Sequence, residues 1–229
     1  MDWVGIAAVI GALGTIILGV VTALIVPAQN ARLKRKELEF DTLAKINDRK
    51  IERMFEIEEG RNREYQCKLS DSYSHIYGNM WSLLLNIDAD RVCILQPHPH
   101  DNREFISISH EILNPKSGVS KQKYNFQYRR MSEWGDVVGM WTSREFIVYK
   151  DAKDIKDVKL HAESYRRGAK SVIFRRIANT SGHWLGTLAI DFVHKQVTNM
   201  DNIRPQINDV VRIIADILPP YTPPKELNN

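Results

Sequence analysis

Cysteine is nearly absent from this chain: Cys67 and Cys93 are the only two in 229 residues. They allow at most one disulfide and supply no cysteine pair for a structural zinc site. The chain also lacks a Gly-x-Ser-x-Gly nucleophile elbow, a Walker loop and a dinucleotide fingerprint, so the enzyme classes those motifs announce are not indicated. Charge of a single sign is scarce too. The net charge is +4, but acidic residues are interspersed with basic ones nearly everywhere. No stripe suited to a phosphate backbone results, and nucleic acid is not an expected partner. Proline and glycine are missing between Ala31 and Gly60, and charge is missing altogether from Trp3 to Val26.

The charge-free run reads as a membrane helix. At ~1.5 Å per residue it reaches about 35 Å, against a hydrocarbon core of about 30 Å. A cleaved signal peptide fits less well, because Asp2 stands where a cation belongs and the run exceeds the ~7–15 residues of an h-region. Ala7, Gly11, Thr15, Gly19 and Ala23 place a small residue at every fourth position. In lipid such a face lets backbones approach, and Thr15 can hydrogen-bond across, so the expectation is a homo-oligomer in the membrane. Arg32, Lys34, Arg35 and Lys36 follow at once. By the positive-inside rule they place the bulk of the protein in the cytoplasm, with both cysteines reduced, and they can also meet anionic headgroups. Residues 1–27 are accordingly expected to be a transmembrane helix.

Residues 28–63 read as a helical connector. Leu33, Phe40, Asn47 and Met54 recur every seven residues, with Ala44 and Ile51 between them. This is an imperfect heptad, weakened at Glu37 and Glu58, in which a seam asparagine fixes register at some cost in stability. A weak coiled coil is expected, ending at Gly60-Arg61-Asn62.

Residues 64–219 read as one α+β domain, and 220–229 as a proline-rich tail that ends the fold without a partner. A helix over 64–86 carries Tyr73, Ile76, Tyr77, Met80, Leu83 and Leu84 on one face. Strands are predicted at 91–96 and 104–113, with a turn at 97–102 between them. A short helix over 131–141, capped by Ser132, precedes a strand at 146–149 and a helix over 154–167 that stops at Gly168. Strands at 171–177 and 184–193 form a hairpin through Asn179-Thr180-Ser181-Gly182-His183, and a last helix covers 201–218. The order implies an antiparallel sheet flanked by helices.

Few side chains form a candidate for chemistry. His98, His100, Asp101 and His110 are the one plausible ligand cluster, but His-Pro-His is not a specific zinc spacing, and a surface hairpin accounts for it. Glu133 and Asp136 beside Trp134 suit solvation or a partner contact better than paired-carboxylate catalysis. Tyr124, Phe126, Tyr128, Arg129 and Arg130 interleave aromatics with cations at what reads as a strand edge or ordered loop. Gly186 marks close packing or a strand bend. No enzyme activity, cofactor or metal is expected.

Gly168-Ala169-Lys170-Ser171, Phe174-Arg175, Gly182 and Leu185-Gly186-Thr187-Leu188 resemble the second half of a GAF domain. PAS-like sheets share much of that pattern, and no chromophore-cysteine motif or nucleotide signature accompanies it. The layout of an N-terminal span, helical connector and single α+β domain is similar to the holin family of the T-even bacteriophages. Leu185-Gly186-Thr187-Leu188-Ala189-Ile190 and Val210-Val211-Arg212-Ile213-Ile214-Ala215 carry that likeness. It implies oligomerisation in the host bacterial inner membrane, lesions that release an endolysin and time lysis, and an antiholin at a periplasmic domain. The cations after the span imply the opposite topology. The alternative is a membrane-anchored GAF-type sensor or scaffold that binds a small molecule or a protein.

Overall fold

The computed structural model describes residues 26–223 together with Gly19. The chain divides into two units, residues 1–65 and 66–229. Helix α1, Val26–Asn86, is continuous for 61 residues. The break expected at Gly60-Arg61-Asn62 does not occur. One glycine inside a helix costs only about 1 kcal/mol relative to alanine, and oppositely charged neighbours a turn apart offset part of that, as between Arg63 and Glu59 at 3.2 Å. The chain turns out of α1 at Asp88, whose φ is +55°.

The membrane architecture requires correction. No helix among the described residues is long and apolar enough to cross a membrane. In α1, charged residues recur at intervals far shorter than the roughly 20 apolar residues of a span. Ala7, Gly11, Thr15 and Ala23 lie outside the described residues, while Gly19 is helical and exposed. Arg32, Lys34, Arg35 and Lys36 are exposed along α1. Met54 is exposed on the same helix; the side chains of Leu33, Phe40 and Asn47 lie outside the described set.

The second unit is built on a six-stranded antiparallel sheet of order β3-β2-β1-β6-β5-β4. The strands are β1 Arg91–His98, β2 Phe105–Leu113, β3 Arg129–Arg130, β4 Phe146–Tyr149, β5 Ser171–Ala178 and β6 Trp184–Phe192. Side chains alternate between the two faces of a strand, so every strand but the exposed pair Arg129–Arg130 of β3 feeds two cores. Val92, Ile94, Ile173, Ile177, Leu188 and Ile190 pack with Ile76, Met80, Leu83 and Leu84 of α1. Helix α4, Met200–Ile217, closes the same side with Ile207, Val211 and Ile214. Cys93, Leu95, Ile106, Ile108, Val172, Phe174 and Ala189 serve the other core, together with helices α2, Gly135–Ser143, and α3, Val158–Arg166.

Local chemistry explains where these helices begin and end. Asp157 caps α3 by accepting the Leu160 amide at 2.8 Å, and Gly168 ends it at φ +70°. The helix is shorter than predicted, because Ala152–Asp154 forms a separate 3₁₀ turn. Ser132 is not a cap: a 3₁₀ turn over Met131–Trp134 leads into α2 with no side-chain capping bond. Of the two roles expected for Gly186, close packing or a strand bend, the structure shows the close approach. A Cβ there would stand 2.6 Å from the Leu95 carbonyl oxygen. The end of the domain and the start of the tail fold back on the sheet. Gln96 donates to the Pro219 carbonyl at 3.0 Å, and the Tyr221 hydroxyl donates to Gln127 Oε1 at 3.1 Å.

Candidate functional site

A small cleft lies within the core between the sheet and helices α2 and α3. Leu95, Ile108 and Phe174 rise from the strands as its floor. Phe126 and Trp134, with ring centroids 5.5 Å apart, come from the connection between β2 and α2. Trp141 of α2 packs against Phe174 at 5.4 Å. Leu160 and Glu163 of α3, and Arg167 just beyond it, complete the wall. The cavity volume is about 10 Å³, room for roughly one water molecule. Phe126, Trp134, Trp141 and Phe174 make its walls partly aromatic.

Polar groups border this apolar space. Arg91 is fully buried, with Nη1 2.6 Å from Asp191 Oδ2 and Nε 3.2 Å from Glu111 Oε1. It also donates from Nη2 to the Ser120 carbonyl at 3.0 Å. Arg167 Nη1 shares Asp191 Oδ2 at 3.1 Å. Glu111 in turn accepts the backbone amides of Gln122 and Lys123, each at 2.8 Å. Two buried cations thus meet two buried carboxylates, a balanced set whose disruption at one member costs about 3–5 kcal/mol. Burial alone would lower the Arg167 pKa, but Asp191, with smaller help from Cys93, Glu163 and Glu111, drives it upward. Burial pushes the neighbouring Cys93 thiol up to about 12; Asp191 and Glu111 push the same way, and Arg167 and Arg91 oppose them.

Several buried polar atoms have no hydrogen-bond partner among the described residues. They include Trp141 Nε1, Arg167 Nε, Ser164 Oγ and Asp191 Oδ1. Orphans of this kind are uncommon in folded proteins and call for an explanation. Trp141 and Arg167 both line the cleft. A wider open groove of about 550 Å³ on the far side of α3 lacks this character. Lys170 there donates to the His194 carbonyl at 3.1 Å, and Gln196 to Asp151 at 2.9 Å.

The side chains singled out from sequence do not form this site. His98 is not on a surface hairpin but buried, with Nε2 2.7 Å from Ser107 Oγ. His110 is buried as well, on the α1 side of the sheet, with rings of Tyr73 and Tyr77 at 5.2 and 5.3 Å. Burial, aided by Lys123, pulls its pKa down to about 4. His100 and Asp101 are exposed, and no three His, Cys, Asp or Glu side chains converge on a metal position among the described residues. Of the segment around Glu133 and Asp136, Trp134 is the residue that enters the cleft. Of the aromatic–cationic run, Phe126 enters it, while Arg129 and Arg130 form the edge strand β3. Arg91, Asp191, Arg167 and Glu111 were missed by sequence reading. The available signal was a charged residue at an inward position of an otherwise apolar strand, as at Arg91 and Asp191.

No family model matches the sequence, and no curated protein matches it. Solved structures match its fold. The dark and illuminated structure of the cyanobacteriochrome receptor PixJ aligns with a TM-score of 0.53 at 12% identity, covering 66% of this chain and 97% of that one. The blue-light-absorbing form of the PixJ GAF domain from Thermosynechococcus elongatus gives 0.51 at 10% identity, over 65% and 88% of the two chains. A third GAF domain, from Synechocystis in its photoproduct state, gives 0.51 at 11% identity, over 63% and 90%. The domain has the GAF fold. The α+β sheet and the GAF likeness read from Gly168 to Leu188 stand on this agreement. The holin likeness does not: the similar structures are photoreceptor GAF domains, so the lytic role and the inner-membrane placement drawn from it are withdrawn.

Proposed function

We propose that this chain is a GAF-type sensor in which a small molecule enters the cleft between the sheet and helices α2 and α3. The observation that carries the reading is that two residues lining the cleft of a GAF fold, Trp141 and Arg167, each keep a buried donor, Nε1 and Nε, without a hydrogen-bond partner among the described residues. Well-packed cores satisfy their buried donors, whereas ligand sites keep a few convergent polar groups in an apolar wall. The role is binding, with no catalytic step. β1 offers a route for the response: Leu95 lines the cleft, and Val92 and Ile94 pack on the α1 side. The light absorption described for the similar proteins is not part of the reading. Neither Cys67, exposed on α1, nor Cys93 lines the cleft, so no thiol is placed there to hold a chromophore.

In the same proposal, α1 is where a second copy docks. Ile51, Met54 and Tyr65 lie at heptad spacing and are 45%, 65% and 56% exposed.

The cleft is tested by screening a fragment library against the full chain labelled with ¹⁵N at tryptophan. Fragments that raise Tm are expected to move the indole signals of Trp134 and Trp141 and to leave that of Trp81, on α1, in place. Stabilising fragments that leave Trp134 and Trp141 unmoved contradict the assignment.

A further inference from the structure

We infer that the open groove on the far side of α3 binds a small phosphate monoester carrying a flat ring, at a site separate from the cleft. Three lysines line this groove from three parts of the chain. Lys153 belongs to the 3₁₀ turn at Ala152–Asp154, Lys170 directly precedes β5, and Lys195 follows β6. Cations so far apart in sequence meet only through the fold, and their mutual repulsion is relieved by an anion among them. Asp151 is the one acid in the lining, and its carboxylate is engaged elsewhere. Oδ1 accepts the Lys153 backbone amide and Oδ2 the Gln196 side chain, each at 2.9 Å. Among the described residues, neither Lys153 nor Lys170 forms an ion pair. Lys170 donates to the His194 carbonyl at 3.1 Å, which steadies the ammonium and leaves its other N–H groups for a ligand. Lys195 meets Asp88 at 2.5 Å, but both side chains are exposed, and such a pair exchanges partners at little cost.

Charge and shape set the class of ligand. Three lysines against one acid leave the lining with an excess of two positive charges. A phosphate monoester brings about two negative charges and matches that excess, whereas a carboxylate neutralises half of it. Lysine ammoniums act as point charges toward phosphate oxygens, without the forked geometry that arginine offers a carboxylate. Helix α3 sets the body of the molecule. His161 and Tyr165, four residues apart, share one face of that helix and line the groove. Tyr165 is 82% exposed, so its ring is open to stack on a flat group. The groove volume of about 550 Å³ lies within the range of about 300–1,000 Å³ that small-molecule sites occupy.

The test titrates phenyl phosphate, inorganic phosphate and benzoate calorimetrically into the full chain. Phenyl phosphate is expected to bind tightest, about tenfold or more above benzoate, the worth of one hydrogen bond to a charged group. Lys153→Gln and Lys170→Gln alter exposed side chains and are each expected to weaken both phosphates about tenfold. Lys116→Gln, exposed but outside the groove, is expected to leave them unchanged. Tyr165→Ala is expected to bring phenyl phosphate down to the level of inorganic phosphate. Benzoate equal to phenyl phosphate overturns the phosphate class, and no effect of Tyr165→Ala overturns the ring. Equal losses from Lys116→Gln and Lys170→Gln reveal a diffuse charge effect and overturn the site, as does failure of every probe to bind the folded chain. Lipid headgroups carry the same anion, so cosedimentation with phosphatidylcholine vesicles, with and without phosphatidate, forms a further arm. Retention on phosphatidate vesicles by a chain that does not bind phenyl phosphate overturns the small-molecule assignment. Because the cleft is a different place, none of these results bears on its own test.

Discussion

His110 shows how one buried side chain ties stability to pH. In the folded chain it stays neutral down to about 4, because burial disfavours the imidazolium and Lys123 adds to the effect. In the unfolded chain it takes up its proton near the ordinary 6.5. The unfolded state therefore binds more protons as pH falls between those values, and stability present above 6.5 is progressively lost toward 4. The loss approaches about 3 kcal/mol at the lower limit. His98, also lowered by burial, contributes in the same direction. Denaturant melts of the full chain at pH 7 and pH 4.5 are expected to show this decline. His110→Phe keeps ring contacts with Tyr73 and Tyr77 and is expected to flatten it; an unchanged slope in that variant would contradict the assignment. The sequence placed His110 within a plausible ligand cluster. Its burial was hidden because a histidine on a strand reads alike whether it faces solvent or a pair of tyrosines.

Elements were legible wherever local pattern decided them. β4 falls at Phe146–Tyr149 as predicted; β5 and β6 differ from expectation by one residue at the C-terminal end, and α4 by one residue at both ends. Each has strong β or amphipathic patterning bounded by turn residues. The failures share a cause: a local signal outweighed by its surroundings. Gly60 reads as a break, yet the flanking helix formers carry α1 through it. Ser132 reads as a cap, yet the chain enters α2 through a 3₁₀ turn. The cleft was only partly visible, because its two tryptophans and two phenylalanines come from segments that tertiary structure alone brings together. For α1, the proposed pairing gives an expectation at this scale. Ile51→Glu with Met54→Glu introduces repelling charge at the contact and is expected to shift sedimentation of the full chain toward monomer. No change in the distribution would remove that helix from self-association.

At the scale of the whole molecule, the sheet separates two cores with different tasks. One is built with α1 and α4 around Ile76, Met80, Leu83, Ile207 and Ile214. The other holds the charged set around Arg91 and a cleft whose donors are not all used. Because strands β1, β5 and β6 contribute alternate residues to both, a shift of α2 or α3 on one face strains the packing of α1 on the other. Interiors are close-packed, so such strain is transmitted rather than absorbed. Hydrogen exchange across the full chain, with and without the tightest-binding fragment, tests this coupling most directly. The account predicts slower exchange in α2 and α3 together with a change in α1 over residues 66–86. Protection confined to α2 and α3, with α1 unaltered, would contradict it.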